Sequence, residues 1–238
     1  MKFIKYFIFE LRLRFRNPAQ IFFIFIFPLF LMFAFMSSFG KSEIGNFIAV
    51  YMLYGVLSAS VTSMSVQIAE YQSGKIYQLF RQRGVGRLTY MMAQILSFMV
   101  VIFLSSLAVL ALAHFGYDYH LPSLSTLIFF YVKLYLYTIP FYFVAIIVGL
   151  LSKNSATASA IALPVMFISY FLSGMMMPLQ TMSGQLRHIA DNFFLTQLLS
   201  DLTATLTKSY TVTPNWRQIS GSIMIIILIS LYVYHEKK

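Results

Sequence analysis

The chain has no cysteine, which excludes disulfides and thiolate metal sites. It is short of charge as well. Asp, Glu, Lys and Arg make up 10% of its 238 residues, whereas about a quarter is usual in a soluble domain. With 59% hydrophobic residues, it cannot cover a globule in polar side chains, so its solvent must be largely lipid. The scarce charge is one-sided, with 17 Lys and Arg against 7 Asp and Glu. A basic excess can serve nucleic acid, but here it gathers at the ends of apolar runs, the pattern of a membrane protein.

Catalytic patterns are missing too. There is no HExxH, no GxSxG and no pair of histidines at metal-ligand spacing. His114, His120, His188 and His235 lie outside the apolar runs and apart in sequence. Gly40-Lys41-Ser42 matches only the end of a phosphate-binding loop, because Phe35 stands where that loop needs glycine. These absences argue against an ATPase and against an enzyme working inside the membrane. No repeat, low-complexity linker or soluble domain is visible.

What is present is a series of apolar runs. Six are long enough to cross a bilayer as helices: 21–39, 44–69, 88–113, 124–151, 155–177 and 218–234. Pro28 predicts a kink in the first, and Pro164 lies inside the fifth, which Pro178 ends. The second run would extend about 39 Å as a helix. Its Ser58, Ser60, Thr62, Ser63, Ser65 and Gln67 suit either helix packing or the wall of a substrate path. The expected fold is an all-α membrane protein, one transmembrane domain over residues 1–238.

Three segments fall outside the spans. Residues 1–17, MKFIKYFIFELRLRFRN, place Ile4, Phe7, Ile8, Leu11 and Phe15 on one helical stripe, with Lys5, Arg12 and Arg16 on another face. This is the pattern of an amphipathic helix in the membrane interface. A signal-peptide n-region fits less well, because the next run exceeds an h-region and no small-x-small site follows it. Residues 70–87, EYQSGKIYQLFRQRGVGR, carry Lys75, Arg81, Arg83 and Arg87 against Glu70. Ile76, Leu79 and Phe80 recur there at helical spacing, predicting a short amphipathic helix at the cytoplasmic surface. Residues 179–217 are too polar to cross. Leu186, Ile189, Ala190, Phe193 and Phe194 predict a helical hairpin there, either capping the outer end or gating an exit path. Met175, Met176 and Met177 at its base read as packing residues.

Lys133 is the one base inside a span. It either snorkels out of an interfacial segment 124–132 or meets substrate. Charge also orients the chain. One set of loops holds Lys2, Lys5, Arg12, Arg14, Arg16, Lys75, Arg81, Arg83, Arg87, Lys153, Lys237 and Lys238, and the other only Lys41, Arg187, Lys208 and Arg217. The positive-inside rule puts the first set, with both termini, in the cytoplasm.

Three stretches resemble the permease subunit of type-2 ABC exporters across nearly the whole chain. They are Glu10-Leu11-Arg12-Leu13-Arg14-Phe15-Arg16-Asn17-Pro18 before the first span, Glu70-Tyr71-Gln72-Ser73-Gly74 with Leu79 after the second, and Phe171-Leu172-Ser173-Gly174 with Pro178. Two features depart from that family's habit: Arg83-Gly84-Val85-Gly86 replaces a proline turn, and Asn192 is followed by Phe193 rather than proline. The resemblance implies a permease homodimer in the cell membrane, served by two copies of a separate ABC ATPase subunit that binds ATP and Mg. This chain would bind no cofactor itself and would contact membrane lipid but no nucleic acid. Coupling to the ATPase would run through Glu70, Gly74, Ile76, Leu79, Phe80, Arg81 and Arg83, with Arg12 and Arg16. Glu70, at the head of the helix in residues 70–87, would act as a joint with the second span, either by favouring the helix's positive N-terminal end or by pairing with an arginine of residues 12–16. Tyr54, Ser58, Thr62, Phe167 and Tyr170, on spans that face the central cavity in that family, would line the substrate path. The aromatic, weakly polar lining suits a peptide, drug or lipid-like cargo. The alternative is a membrane-embedded immunity or sensor protein that acts by binding alone.

Overall fold

The computed structural model describes residues 2–39, 44–208 and 212–236, and every regular element among them is a helix. Gly40-Lys41-Ser42 and the terminal lysines lie outside the described residues. Helix α1 is Lys2–Phe15. Six apolar helical stretches follow: Pro18–Met36, Ile44–Ser73, Thr89–Tyr117, Leu124–Leu151, Ser155–Leu172 and Trp216–His235. The first contains α2 (Pro18–Ile21) and α3 (Phe27–Phe39), and the second α4 (Ile44–Leu57) and α5 (Ser65–Ser73). A short α6 (Ile76–Gln82) precedes the third, α7 (Arg87–Tyr117). The fourth and fifth are α8 (Leu124–Leu151) and α9 (Ser155–Leu172). Then come α10 (Gly184–Asn192), α11 (Phe194–Thr207) and the last span, α12 (Trp216–Glu236).

The second span is the axis of the bundle. Its most apolar stretch is 83% buried, against 28% in the first span, 22% in the fifth and 17% in the last. Ser58, Ser60, Thr62, Ser63, Ser65 and Gln67 are all buried within it. Ser60 and Ser65 donate to the carbonyls of Val56 and Val61, so these hydroxyls satisfy themselves inside the helix. Gly149 of α8 lets the fourth span press against this axis, because a Cβ there would stand 2.6 Å from Ile68.

The expected kink at Pro28 takes the form of a widened turn. A π-helical segment, Phe22–Ile26, ends two residues before the proline. Proline has no N–H and its ring crowds the carbonyl four residues back, which is that of Ile24. Ser105 of α7 donates to the Ile24 carbonyl instead. In a segment deprived of water, such a borrowed donor keeps the break tolerable. A second π-helical segment, Ser58–Met64, joins α4 to α5.

The fifth span stops at Leu172 rather than near Met177. Gly174 adopts φ +79, its N–H reaches the Phe171 carbonyl, and the Met175 N–H reaches the Tyr170 carbonyl. This glycine cap ends the helix and puts Met175–Met177 into a turn.

The segment after it is folded into the bundle rather than laid over it. In α11, Leu195 to Ala204 are buried on every side. Ser200 donates to the Val212 carbonyl and Gln197 accepts from the Asn215 N–H, which closes the returning chain over α11. The apolar stripe expected on α10 is split: Ala190 is buried, while Leu186 and Ile189 are exposed. Lys133 neither snorkels freely nor stands alone. Its Nζ is 2.8 Å from the Asp201 carboxylate, which also accepts from the Tyr137 hydroxyl at 2.6 Å. The fourth span is thereby tied to α11.

Both ends of the chain reach the same end of the bundle. Tyr6 of α1 packs edge-on against Phe80 of α6, with ring centroids 5.3 Å apart. Tyr234 of α12 borders a small cavity with Tyr77 and Tyr90. With Arg12, Arg14, Arg16, Lys75, Arg81 and Arg83 on α1 and beside α6, this is the basic end of the molecule.

Candidate functional site

A buried polar network joins three elements at the basic end. Glu10 and Arg14, one turn apart on α1, are 2% exposed each. Across from them lie Gln67 and Tyr71 at the end of the second span, and Gln94 and Ser97 at the start of α7, all buried. The Arg14 Nε donates to Ser97 Oγ at 2.7 Å, and its Nη2 reaches Glu10 Oε2 and the Gln94 carbonyl, both at 3.3 Å. Glu10 also accepts from Gln67 Nε2 and from the Tyr71 hydroxyl, each at 2.8 Å. Gln94 Nε2 donates to Gln67 Oε1 at 2.9 Å and closes the ring of contacts. The guanidinium carbon of Arg14 lies 3.3 Å from the centre of the Phe98 ring. Burial lowers the Arg14 pKa to about 10, with Glu10 raising it in opposition, so the group stays charged at neutral pH.

A buried charge needs a partner and further hydrogen bonds, and this network supplies both. Its signal in the sequence is modest but real. Glu10 is the only acid before Glu43, and Arg14 follows it at i+4. The stripe of Ile4, Ile8 and Phe15 pointed the other way. Those three side chains are exposed, while Phe7 and Leu11 of the same stripe are half-buried beside the packed Glu10–Arg14 face, so the apolar stripe of α1 is turned largely outward. In lipid an apolar stripe marks the solvent side as readily as the core side.

Above the network sits an aromatic cluster that seats α6. Tyr71 touches Tyr77 and Phe80 edge-on, at 5.7 and 6.1 Å between centroids. Tyr77 stacks on Tyr90 of α7 at 4.7 Å, and Phe80 lies 5.8 Å from the same ring. Tyr71 belongs to both the polar network and the cluster. The helix breaks cleanly on either side. Lys75 takes a left-handed conformation between α5 and α6, and Gly84, at φ +69, caps α6 with the Val85 N–H on the Phe80 carbonyl. Gly84 thus makes the turn for which no proline is present.

Tyr77 and Phe80 therefore point inward, while Leu79, Arg81 and Arg83 point away from the bundle and Ile76 is half-buried. Tyr77 was not among the expected residues. Glu70 lies in the last turn of α5, exposed, not at the head of α6. Arg12 and Arg16 are exposed too, and the structure does not bring Glu70 to either. The position expected for Glu70 in a joint with α1 is taken by Glu10, from the other side.

The family model for ABC-2 type transporters matches residues 3–207. The chain belongs to the ABC-2 type transporter family. Comparison with curated proteins and with solved structures returned no match. As an ABC-2 permease it is a multi-pass membrane subunit and not itself catalytic, and membership implies association with an ABC ATPase. Among the described residues no cluster of His, Asp or Glu could hold a metal ion.

The residues expected on the permease's substrate path come together, with Phe167 at the edge, its ring edge-on to Tyr170 at 6.0 Å. The Tyr54 and Tyr170 rings meet edge-on at 4.6 Å, and the Tyr170 hydroxyl lies 3.0 Å from Ser58 Oγ and 3.1 Å from the Tyr54 carbonyl. Thr62 Oγ1 is 3.1 Å from Met166 Sδ. Tyr54, Ser58, Thr62 and Tyr170 are buried within the chain, and only Phe167 is exposed.

Proposed function

We propose that this permease is the membrane half of an ATP-driven exporter in the cell membrane, with both termini cytoplasmic. Two copies surround a central cavity, and two copies of a separate ATPase subunit, carrying ATP and Mg, dock on the basic end. The cargo is hydrophobic or amphipathic: a peptide, a drug or a lipid-like molecule. The α6 helix is the coupling helix, and α1 lies in the membrane interface.

The observation that carries this reading is the two-sided character of α6. One side offers Leu79, Arg81 and Arg83, with Lys75 beside them, to a partner. The other side is seated by Tyr77 and Phe80 on rings from α1, α5 and α7. Gly74 and Lys75 form the joint between this helix and the second span, and Ile76 opens α6. Exposed Arg12 and Arg16 extend the docking surface along α1. A push on α6 or α1 then reaches the most buried span through the aromatic seat and the Glu10–Arg14 network. Of the residues expected on the substrate path, Phe167 of the fifth span is the exposed one and meets cargo or the second permease.

The test is recovery of the partner. Tagged protein purified from its native membrane should bring down an ATP-binding subunit. Changing Arg81→Glu and Arg83→Glu together should cut recovery by about tenfold, as expected when docking charges are reversed. Wild-type recovery from the double variant would overturn the assignment of α6. Recovery of no ATPase would favour a protein that acts by binding alone.

A further inference from the structure

A cavity of about 330 Å³ lies at the end of the bundle away from the basic end and takes no part in the joint. Its apolar walls are Phe35 of the first span, Phe47 and Val50 of α4, Met175 and Met176 of the turn after α9, and Leu199 of α11. Asn46, Ser173, Gln180 and Thr203 add polar groups, and among the described residues no charged side chain lines it. Tyr51 also lines the cavity. That side chain is 1% exposed, and its hydroxyl has no hydrogen-bond partner among the described residues. On the side toward the basic end the chain closes the space itself. Tyr54 donates to the Met175 carbonyl at 2.8 Å and packs on Tyr170, with Ser58 and Met166 buried beyond them. Gly174 holds the wall in place, because its turn brings Leu179 to within 2.8 Å of where a Cβ would stand.

We propose that this cavity holds the alkyl chain of a membrane lipid from the leaflet at that end. Among the described residues the walls contain no charge to receive an ionic ligand or a headgroup. Water filling the space would need two to four polar partners per molecule; Asn46, Tyr51, Ser173, Gln180 and Thr203 supply them on one part of the lining, and the wall of Phe35, Phe47, Val50, Met175, Met176 and Leu199 offers none. An alkyl chain regains the dispersion contacts that an unfilled void forfeits. Depth agrees: Tyr51, the lining residue of α4 farthest from Ile44, lies about 10 Å along the helix from it, within one half of a ~30 Å hydrocarbon core. At roughly 30 Å³ for a water-sized group, the volume admits a chain segment of about ten methylenes. The inference is independent of export, since a resident lipid needs neither ATPase nor cargo.

The test uses the purified full chain in liposomes containing a phospholipid with a photoreactive diazirine midway along one acyl chain. After illumination, adducts are mapped by mass spectrometry of peptides. Adducts are expected within residues 44–57 and 173–180. Val50→Trp, which fills the cavity, should lower them by about tenfold, while adducts at exposed Leu228 and Ile229 of α12 stay unchanged and report that the fold is intact. The milder Thr203→Leu should give a smaller loss and serves if Val50→Trp does not accumulate. Absence of cavity adducts in the wild type would overturn the proposal, as would adducts that persist undiminished in both variants.

Discussion

Glu10 and Arg14 are charged groups almost fully removed from solvent, and each satisfies the other's need for a partner. Removing one member of a buried pair strands the other, at a cost of about 3 kcal/mol. Glu10→Gln should therefore lower the midpoint of thermal unfolding by roughly 5–10 °C, and adding Arg14→Met should recover most of the loss. An unchanged midpoint in the single variant would mean that the network is not a structural unit. Lys133 and Asp201 obey the same logic at the other end. Lys133→Leu alone should destabilise by a similar amount, whereas Lys133→Leu with Asp201→Asn, which keeps an acceptor for Tyr137, should be better tolerated. Thermal unfolding of the two variants side by side decides it: equal stability would show that Asp201 does not depend on Lys133.

At the scale of elements, α6 is too short to hold its shape alone, since isolated helices under about 12 residues are marginal. It is held by its ends and by its aromatic seat. Phe80→Ala removes a ring shared with Tyr6, Tyr71 and Tyr90. The expected result is faster trypsin cleavage after Arg81 and Arg83 while the spans remain resistant, because local opening rather than global unfolding limits the reaction. Cleavage at the wild-type rate would show that the ring cluster does not anchor the helix. Gly84→Ala should act similarly, since a side chain in the left-handed region costs about 1 kcal/mol. The contrast with α11 is instructive. That helix is enclosed by α4, α8 and the returning chain, so its polar residues Gln197, Ser200 and Asp201 are all engaged.

For the whole molecule, both chain ends and α6 share one end of the bundle, and the α10–α11 segment closes the other. A reporter active only in the cytoplasm should work when fused after Lys238 and fail when inserted after Lys208. The reverse pattern would invert the orientation read from the lysines and arginines. The pure chain should hydrolyse no ATP, because it lacks a phosphate-binding loop. Turnover by a preparation free of other subunits would contradict a permease that depends on a partner.

Composition and the lengths of the apolar runs were enough to establish a six-span helical membrane protein, because in lipid only helices and closed barrels satisfy their backbone. The basic break between the second and third spans, with Phe80 at its centre, was legible for the same reason: charge is rare there and stands out. Packing partners were not legible. Hydrophobic periodicity separates lipid from water, but among spans both faces are apolar, so it cannot say which side of α1 meets α7. The pairing of Glu10 with Gln67 and Tyr71, of Lys133 with Asp201, and of Ser105 with the Ile24 carbonyl each joins residues far apart in sequence. Only the tertiary structure decided them, since each bond requires two helices to be in register. Sequence spacing constrains register within one helix and says nothing of it between two.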